Sequence, residues 1–122
     1  MSATTVSELL TGGAADAAAI GGIDAAAMTY AGLAAQAERV ASALAAAGVR
    51  PNDRIAIVLP NGPEMATAFL CVACIATTAP LNPAYRTEEF AFYLEDLKAC
   101  ALLVEAGSDS PAVAAAVGLG VP

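Results

Sequence analysis

Cys71 and Cys74, in Leu70-Cys-Val-Ala-Cys-Ile75, have the C-x-x-C spacing of thiol–disulfide redox pairs and of half a zinc site. A redox pair needs a helix N-terminus, where the dipole favours the thiolate. This pair falls in the middle of an apolar helical stretch, and no second ligand pair follows it. Cys100 lies at the entrance of an expected strand. All three are therefore expected as ordinary core cysteines, since free cysteine is commonly buried. The sequence has no histidine, which removes the commonest general base and the usual catalytic triads. Glu88 and Glu89 are adjacent, point to different sides of a helix, and are accounted for by its positive first turn. Glu95 and Asp96 read as a solvated helix face. Asp53-Arg54 reads as turn chemistry with room for a local ion pair, worth ~0–1 kcal/mol if exposed. Gly12-Gly13 and Gly21-Gly22 lack the spacing and the strand–helix context of a phosphate cradle, and both read as turns. No catalytic, cofactor-binding or metal-binding residue is assigned from these side chains.

Composition narrows the function further. The net charge is −7, and the five basic residues, Arg39, Arg50, Arg54, Arg86 and Lys98, are scattered. Without a basic stripe, neither nucleic acid nor an anionic membrane surface is an expected partner. An odd number of cysteines does not suggest a disulfide framework, and a reducing cytoplasm is the simpler setting. The N-terminus lacks the basic-then-apolar pattern of a signal peptide. The longest apolar run, 65–81, is shorter than the ~20 residues of a membrane span. A mean hydropathy of +0.66 is high for a free-standing domain and points to apolar surface that meets another part of a longer protein.

The elements that would position any site follow from periodicity. Val6, Leu9 and Leu10 suggest a short helix ending at Gly12-Gly13, and Gly21-Gly22 suggests the turn of a small antiparallel hairpin. From Thr29, an expected N-cap, Leu33, Ala37, Val40 and Leu44 lie on one helical face, with Gly48 and Pro51 stopping the helix. Ile55-Ala-Ile-Val-Leu59 reads as a strand buried on both faces, ended by Pro60. Asn61 is the expected N-cap of the next helix, with Pro63 and Glu64 in its first turn and an apolar surface that should be mostly enclosed. Ala76-Thr-Thr-Ala79 is the next strand. In Pro80-Leu-Asn-Pro-Ala-Tyr-Arg-Thr-Glu-Glu-Phe90, Asn82-Pro83 turns the chain and Thr87 is the expected cap of a helix with Phe90, Leu94 and Leu97 inward and Lys98 in its last turn. Ala101-Leu-Leu-Val104 is a third strand, Ser110-Pro111 opens a helix stopping near Gly118, and Val121-Pro122 reads as the first step of another strand. This order predicts an α/β fold: an open, mostly parallel sheet with helices on both faces, plus a small N-terminal hairpin.

Two ordered stretches carry a family resemblance. They are Met28-Thr-Tyr-Ala-Gly-Leu33 with Gly48-Val-Arg-Pro-Asn-Asp-Arg-Ile-Ala-Ile-Val-Leu-Pro-Asn-Gly-Pro-Glu64, and Ala76-Thr-Thr-Ala-Pro-Leu-Asn-Pro-Ala-Tyr85 with Glu88-Glu-Phe-Ala-Phe-Tyr-Leu-Glu-Asp96. From about Ile20 to Pro122 the chain resembles the N-terminal region of the adenylate-forming enzymes, which include acyl- and aryl-CoA synthetases. It is most similar to the oxalate–CoA ligase branch, near the 4-coumarate–CoA ligases. The resemblance implies a ligase that joins a small-molecule carboxylic acid to CoA through an acyl-adenylate, using ATP and Mg2+ and releasing AMP and pyrophosphate. It also implies that the phosphate-binding loop, the adenine pocket, the ribose-binding aspartate and the catalytic lysine lie downstream of these 122 residues. On that basis catalytic, cofactor-binding and metal residues in this chain are none, and the chain alone is expected to be inactive. Residues 1–16 are expected as a lead segment and 17–122 as part of an N-terminal α/β subdomain that continues beyond Pro122. Gly32 stands where relatives commonly carry Glu, which removes half of a capping box. The Cys74-Ile-Ala76 turn also lacks a Gly that many relatives have. A free-standing α/β binding module, or a truncated reading frame, are the alternatives. Self-association is expected of the isolated chain.

Overall fold

The computed structural model describes residues 3–122; the first two residues of the expected lead segment lie outside it. Helix α1 spans Val6–Leu10, and Thr5 caps it by accepting from the Glu8 amide at 3.2 Å. Strands β1 (Ala18–Gly22) and β2 (Ala25–Thr29) form an antiparallel hairpin. The turn is not at the glycines. Gly22 pairs with Ala25, and the chain reverses through Ile23 and Asp24, whose φ is 58°. Asp tolerates this left-handed backbone because its short polar side chain can bond locally.

Helix α2 (Tyr30–Ala46) starts where the sequence places it, with Thr29 Oγ1 accepting from Gly32 N at 3.1 Å. It ends at Ala47, and Gly48 takes φ 85°. The remainder is β3 (Arg54–Val58), α3 (Pro63–Ala73), β4 (Thr77–Pro80), α4 (Thr87–Leu97), β5 (Ala101–Val104) and α5 (Pro111–Leu119). The three strands form a parallel sheet in the order β4-β3-β5. The α/β fold with a parallel sheet and a small hairpin is thus as the periodicity predicts.

Helix starts differ in detail. The N-cap of α3 is Gly62, and that of α4 is Arg86, so Asn61 and Thr87 are each displaced by one residue from the expected role. Pro63 occupies the first helical position, which leaves Asn61 a residue too early to reach the free amides. At α4, Glu89 Oε1 accepts from Arg86 N at 3.2 Å and its carboxylate lies 3.4 Å from Arg86 Nε. Lys98 is the left-handed C-terminal residue of α4, with φ 52°, rather than part of its last turn. The cation at that end comes from elsewhere: Arg54 Nη1 donates to Leu97 O at 3.1 Å. Helix α5 passes Gly118 and ends at Gly120, whose φ is 70°.

Strand alternation divides the core. Ala56 and Val58 face Phe90 and Leu94 of α4 and Ala112, Ala115 and Ala116 of α5, all of them buried. Ile55, Ile57 and Leu59 face the opposite way, toward Val72 and the half-buried Val40, Leu44, Met65 and Ala68 of α2 and α3. A third cluster, Leu10, Leu33 and Cys71, docks α1 and the hairpin on that same side. The expectation that α3 is mostly enclosed does not hold. Only Cys71 and Val72 are buried, and Phe69 is 41% exposed, because no element of the described chain covers its outer face. Beyond α5, Leu102 N donates to Pro122 O at 2.8 Å, so the final residues run against the free edge of β5.

Candidate functional site

The sequence nominates few reactive groups, and the structure separates them. Cys71 and Cys74 are at the C-terminal end of α3, not in its middle, and Cys74 is the C-cap. Burial pushes the Cys71 thiol up, and the neighbouring Cys74 adds to it. Cys74 Sγ donates to Leu70 O at 3.3 Å. That end of a helix is negative, so both position and burial oppose a thiolate. The pair is structural. Cys100 departs from the expectation of a core cysteine, because it is exposed. Asp53 and Arg54 form no ion pair with each other. Asp53 Oδ2 accepts from Arg50 N at 2.8 Å, closing the turn, while Arg54 reaches α4. Glu95 and Asp96 are exposed, as expected.

The 80–90 segment is built as a connector. Asn82 Oδ1 accepts from Ala84 N at 2.9 Å, and the Asn82 carbonyl accepts from Tyr85 N at 3.2 Å. Tyr85 stacks on Tyr93 with ring centroids 5.1 Å apart and meets Phe90 edge-on at 5.6 Å. These contacts tie the loop to α4 and leave the Asn82 carboxamide oxygen committed to the turn.

Geometry points elsewhere for a binding site. After β3 the chain runs through α3 to β4 on one side, then crosses through α4 to β5 on the other side of β3. The loops leaving β3 and β5 therefore part in opposite directions, and a crevice opens beyond their carboxyl ends. Ligands of open α/β sheets bind at such a switch point. A cleft of about 760 Å³ lies there, bounded by Leu59, Pro60 and Asn61 after β3 and by Leu103, Val104 and Glu105 at β5. The hairpin and the facing sides of α2 and α3 complete its walls. A smaller cleft of about 340 Å³ lies between the ends of β3 and β4, and Asn61 borders both.

Beside the main cleft the hairpin comes close to the start of α3. A Cβ on Gly22 would sit 2.5 Å from Pro63 Cγ, so only glycine lets the hairpin rest on the start of α3. Gly22 is thus a close-approach residue, where the sequence reading makes it a turn. Gly13 has a comparable place, since a Cβ there would fall 2.6 Å from Tyr30 Cδ2.

The cleft's polar groups are Gln36, Asn61, Glu64, Thr67 and Glu105, and no Lys or Arg lines it. Thr67 Oγ1 is already used, donating to Pro63 O at 2.7 Å. Pro63 has no amide hydrogen, and Glu64 places a carboxylate in the first turn of α3. Phosphate binding needs free amides or cations at this place, so these residues do not fit a nucleotide or the phosphates of CoA. Among the described residues no group of three His, Cys, Asp or Glu side chains could hold a metal ion. Sequence reasoning missed the cleft because its residues, from 20 to 105, converge only through the crossovers. The strand–helix order was the one signal that could have located it.

Comparison with known proteins gives the fold its context. The model of the AMP-binding enzyme family matches residues 11–120. An oxalate–CoA ligase of Arabidopsis thaliana is 44% identical over 91 residues, covering 73% of this chain and 18% of that protein. A feruloyl-CoA synthase of Amycolatopsis is 41% identical over 78 residues, covering 63% and 16% respectively. The chain thus spans about a fifth of the length of the curated relatives it matches. Among solved structures, apo MatB from Rhodopseudomonas palustris superposes with a TM-score of 0.82 at 24% identity, over 97% of this chain and 24% of that one. A benzoate CoA ligase from Burkholderia xenovorans gives 0.72 at 25% identity, over 82% and 21%. The family match across nearly the whole chain, on a fold that superposes this well, leads to one conclusion: the chain belongs to the AMP-binding enzyme family.

Proposed function

We propose that this chain is the N-terminal portion of an ATP-dependent carboxylate–CoA ligase. Such a ligase converts an acid, ATP and CoA into acyl-CoA, AMP and pyrophosphate. The observation that carries the reading is the family match over residues 11–120. The 44% identity to an oxalate–CoA ligase supports it. The acid class follows only from that similarity, and oxalate and aryl propenoic acids are the first substrates to try.

The contribution of these residues is architectural. Residues 17–122 supply the parallel sheet and its two helical layers, and within the lead segment α1 docks on the hairpin side through Leu10. The cleft residues do not fit phosphate groups, so no adenylation step, no Mg2+ ligand and no catalytic role is placed on them. ATP, CoA and Mg2+ are assigned to sequence of the kind that follows this region in the relatives. No helix of the described residues is long and apolar enough to cross a membrane. A reducing cytoplasm suits a chain whose cysteines are unpaired.

The test is pyrophosphate exchange with oxalate, 4-coumarate and ferulate. It is run on the 122-residue chain and on the product of the reading frame extended beyond codon 122. We expect exchange only with an extended product that carries a Gly-rich phosphate loop. Exchange by the 122 residues alone would overturn the architectural assignment, and a stop codon at 123 would favour a non-catalytic binding module. Sedimentation of the isolated chain checks the expected self-association, which a monodisperse monomer would refute.

A further inference from the structure

The ligase reading leaves the connector between β3 and α3 without a role of its own. We propose that Asn61 in this connector is a site of self-modification, where the Gly62 amide closes on the Asn61 carboxamide and converts the residue to aspartate or isoaspartate. The step balances with water as its only co-reactant. Gly62 N attacks Asn61 Cγ, the proton of that amide passes through water to the side-chain nitrogen, and ammonia departs to leave a succinimide. Water then opens the ring at either carbonyl. The rate of such an intramolecular attack is set by how freely the nucleophile reaches its target.

Short-range bonds single out one of the three asparagines, Asn52, Asn61 and Asn82. Asn52 precedes Asp53, whose amide donates to Arg50 O at 3.1 Å and whose Oδ2 accepts from Arg50 N at 2.8 Å. The peptide that would attack is thus held in a turn. Asn82 precedes Pro83, which has no amide hydrogen, and its own Oδ1 accepts from Ala84 N at 2.9 Å. Asn61 precedes a glycine, whose missing Cβ leaves the peptide free to rotate toward the carboxamide. Gly62 is the N-cap of α3, so its carbonyl enters the helix, accepting from Ala66 N at 3.1 Å, while its amide stays outside. Among the described residues no group accepts from Gly62 N. The helix takes no side-chain cap, so its first amides do not hold the Asn61 carboxamide either. Asn61 borders both clefts, and the aspartate form would put a negative charge where they meet. The isoaspartate form would lengthen the backbone just before Pro63, on which Gly22 rests.

The test uses the 122-residue chain without turnover, so its outcome is independent of the ligase reading. The chain is incubated in heavy-oxygen water at mildly alkaline pH and mapped by peptide mass spectrometry, with fragmentation separating aspartate from isoaspartate. We expect the Asn61 peptide to exchange its amide nitrogen for heavy oxygen about tenfold or more faster than the Asn52 or Asn82 peptides, with both linkages formed. Unfolding in guanidinium chloride should speed Asn52 by releasing its turn, and leave Asn61 within about threefold of its folded rate. Asn61→Gln keeps the carboxamide but needs a larger ring, and should abolish product at this position. Gly62→Ala should slow the reaction by about tenfold through the added Cβ. Circular dichroism melting of both variants verifies that the fold is kept. Modification at Asn61 no faster than at Asn52, folding that slows Asn61 more than Asn52, or product without heavy oxygen would each overturn the proposal.

Discussion

The two faces of the sheet are covered by two helices each, yet they are closed to different degrees. On one face, Phe90, Leu94, Ala112, Ala115 and Ala116 are all within 4% of full burial. On the other, α2 and α3 bury Leu33, Cys71 and Val72 but leave Val40, Leu44, Met65 and Ala68 half-buried, and the cleft remains open at one end. Residue size accounts for the contrast. Three alanines let α5 approach the sheet and α4 closely, so the large side chains of α4 fill what space remains. One face stabilises the fold, and the other keeps surface for a ligand or a neighbouring element.

Substitutions should separate the faces, and the largest effect belongs to the closed one. Phe90→Ala should cost about 3–5 kcal/mol, because a fully buried ring leaves a cavity that rigid neighbours cannot fill. Leu94→Ala should follow at about 2–5 kcal/mol, with Leu44→Ala on the open face falling clearly below it. Urea unfolding midpoints measure both, and equal losses for the two leucines would remove the distinction. Ala115→Leu should destabilise by about 1–3 kcal/mol through overpacking. Thr29→Ala, which removes the α2 cap, should cost about 1 kcal/mol.

Two pH effects are smaller and distinguish the regions further. The Cys71 thiol is held above its ordinary value of 9.0 by burial. Its contribution is present below that value and lost as pH rises through the folded-state value, since the unfolded thiol ionises first. Stability should therefore decline in alkali, and Cys71→Ala should lessen the decline relative to neutral pH. Glu8 behaves oppositely. Hydrogen bonds from Thr4 N at 2.6 Å, Thr4 Oγ1 and Thr5 N hold its carboxyl below the ordinary 4.5. That stabilisation is present above 4.5 and lost as pH falls through the lower folded value. Amide protection factors in α1, taken against intrinsic exchange at each pH, should fall in acid while those of β3 do not.

Legibility in the sequence followed the range of the interactions. Strand β5 runs over the same residues, 101–104, that the apolar run marks, and α2 begins at the capping threonine, because both depend on neighbours in the chain. Helix starts slipped by one residue at Asn61 and Thr87, where proline or a neighbouring carboxylate decided among adjacent candidates. The Gly21-Gly22 pair misled for a different reason. The freedom of Gly22 from a side chain serves packing against Pro63, forty-one residues away in the sequence, and not a turn. The same holds for the cation at the end of α4, where Arg54 acts and Lys98 does not. The cleft belongs to this second kind of fact, because residues from the hairpin to β5 make it together.

The close approach of Gly22 to Pro63 also bears on how the hairpin can move against α3. Neither partner has a rotatable side chain, so their spacing cannot relax by a rotamer change. Separating them requires the hairpin to move as a unit, on the slower clock of collective motion rather than the nanosecond clock of side chains. A single methyl group added at residue 22 would act as a fixed wedge, holding the hairpin away from the start of α3.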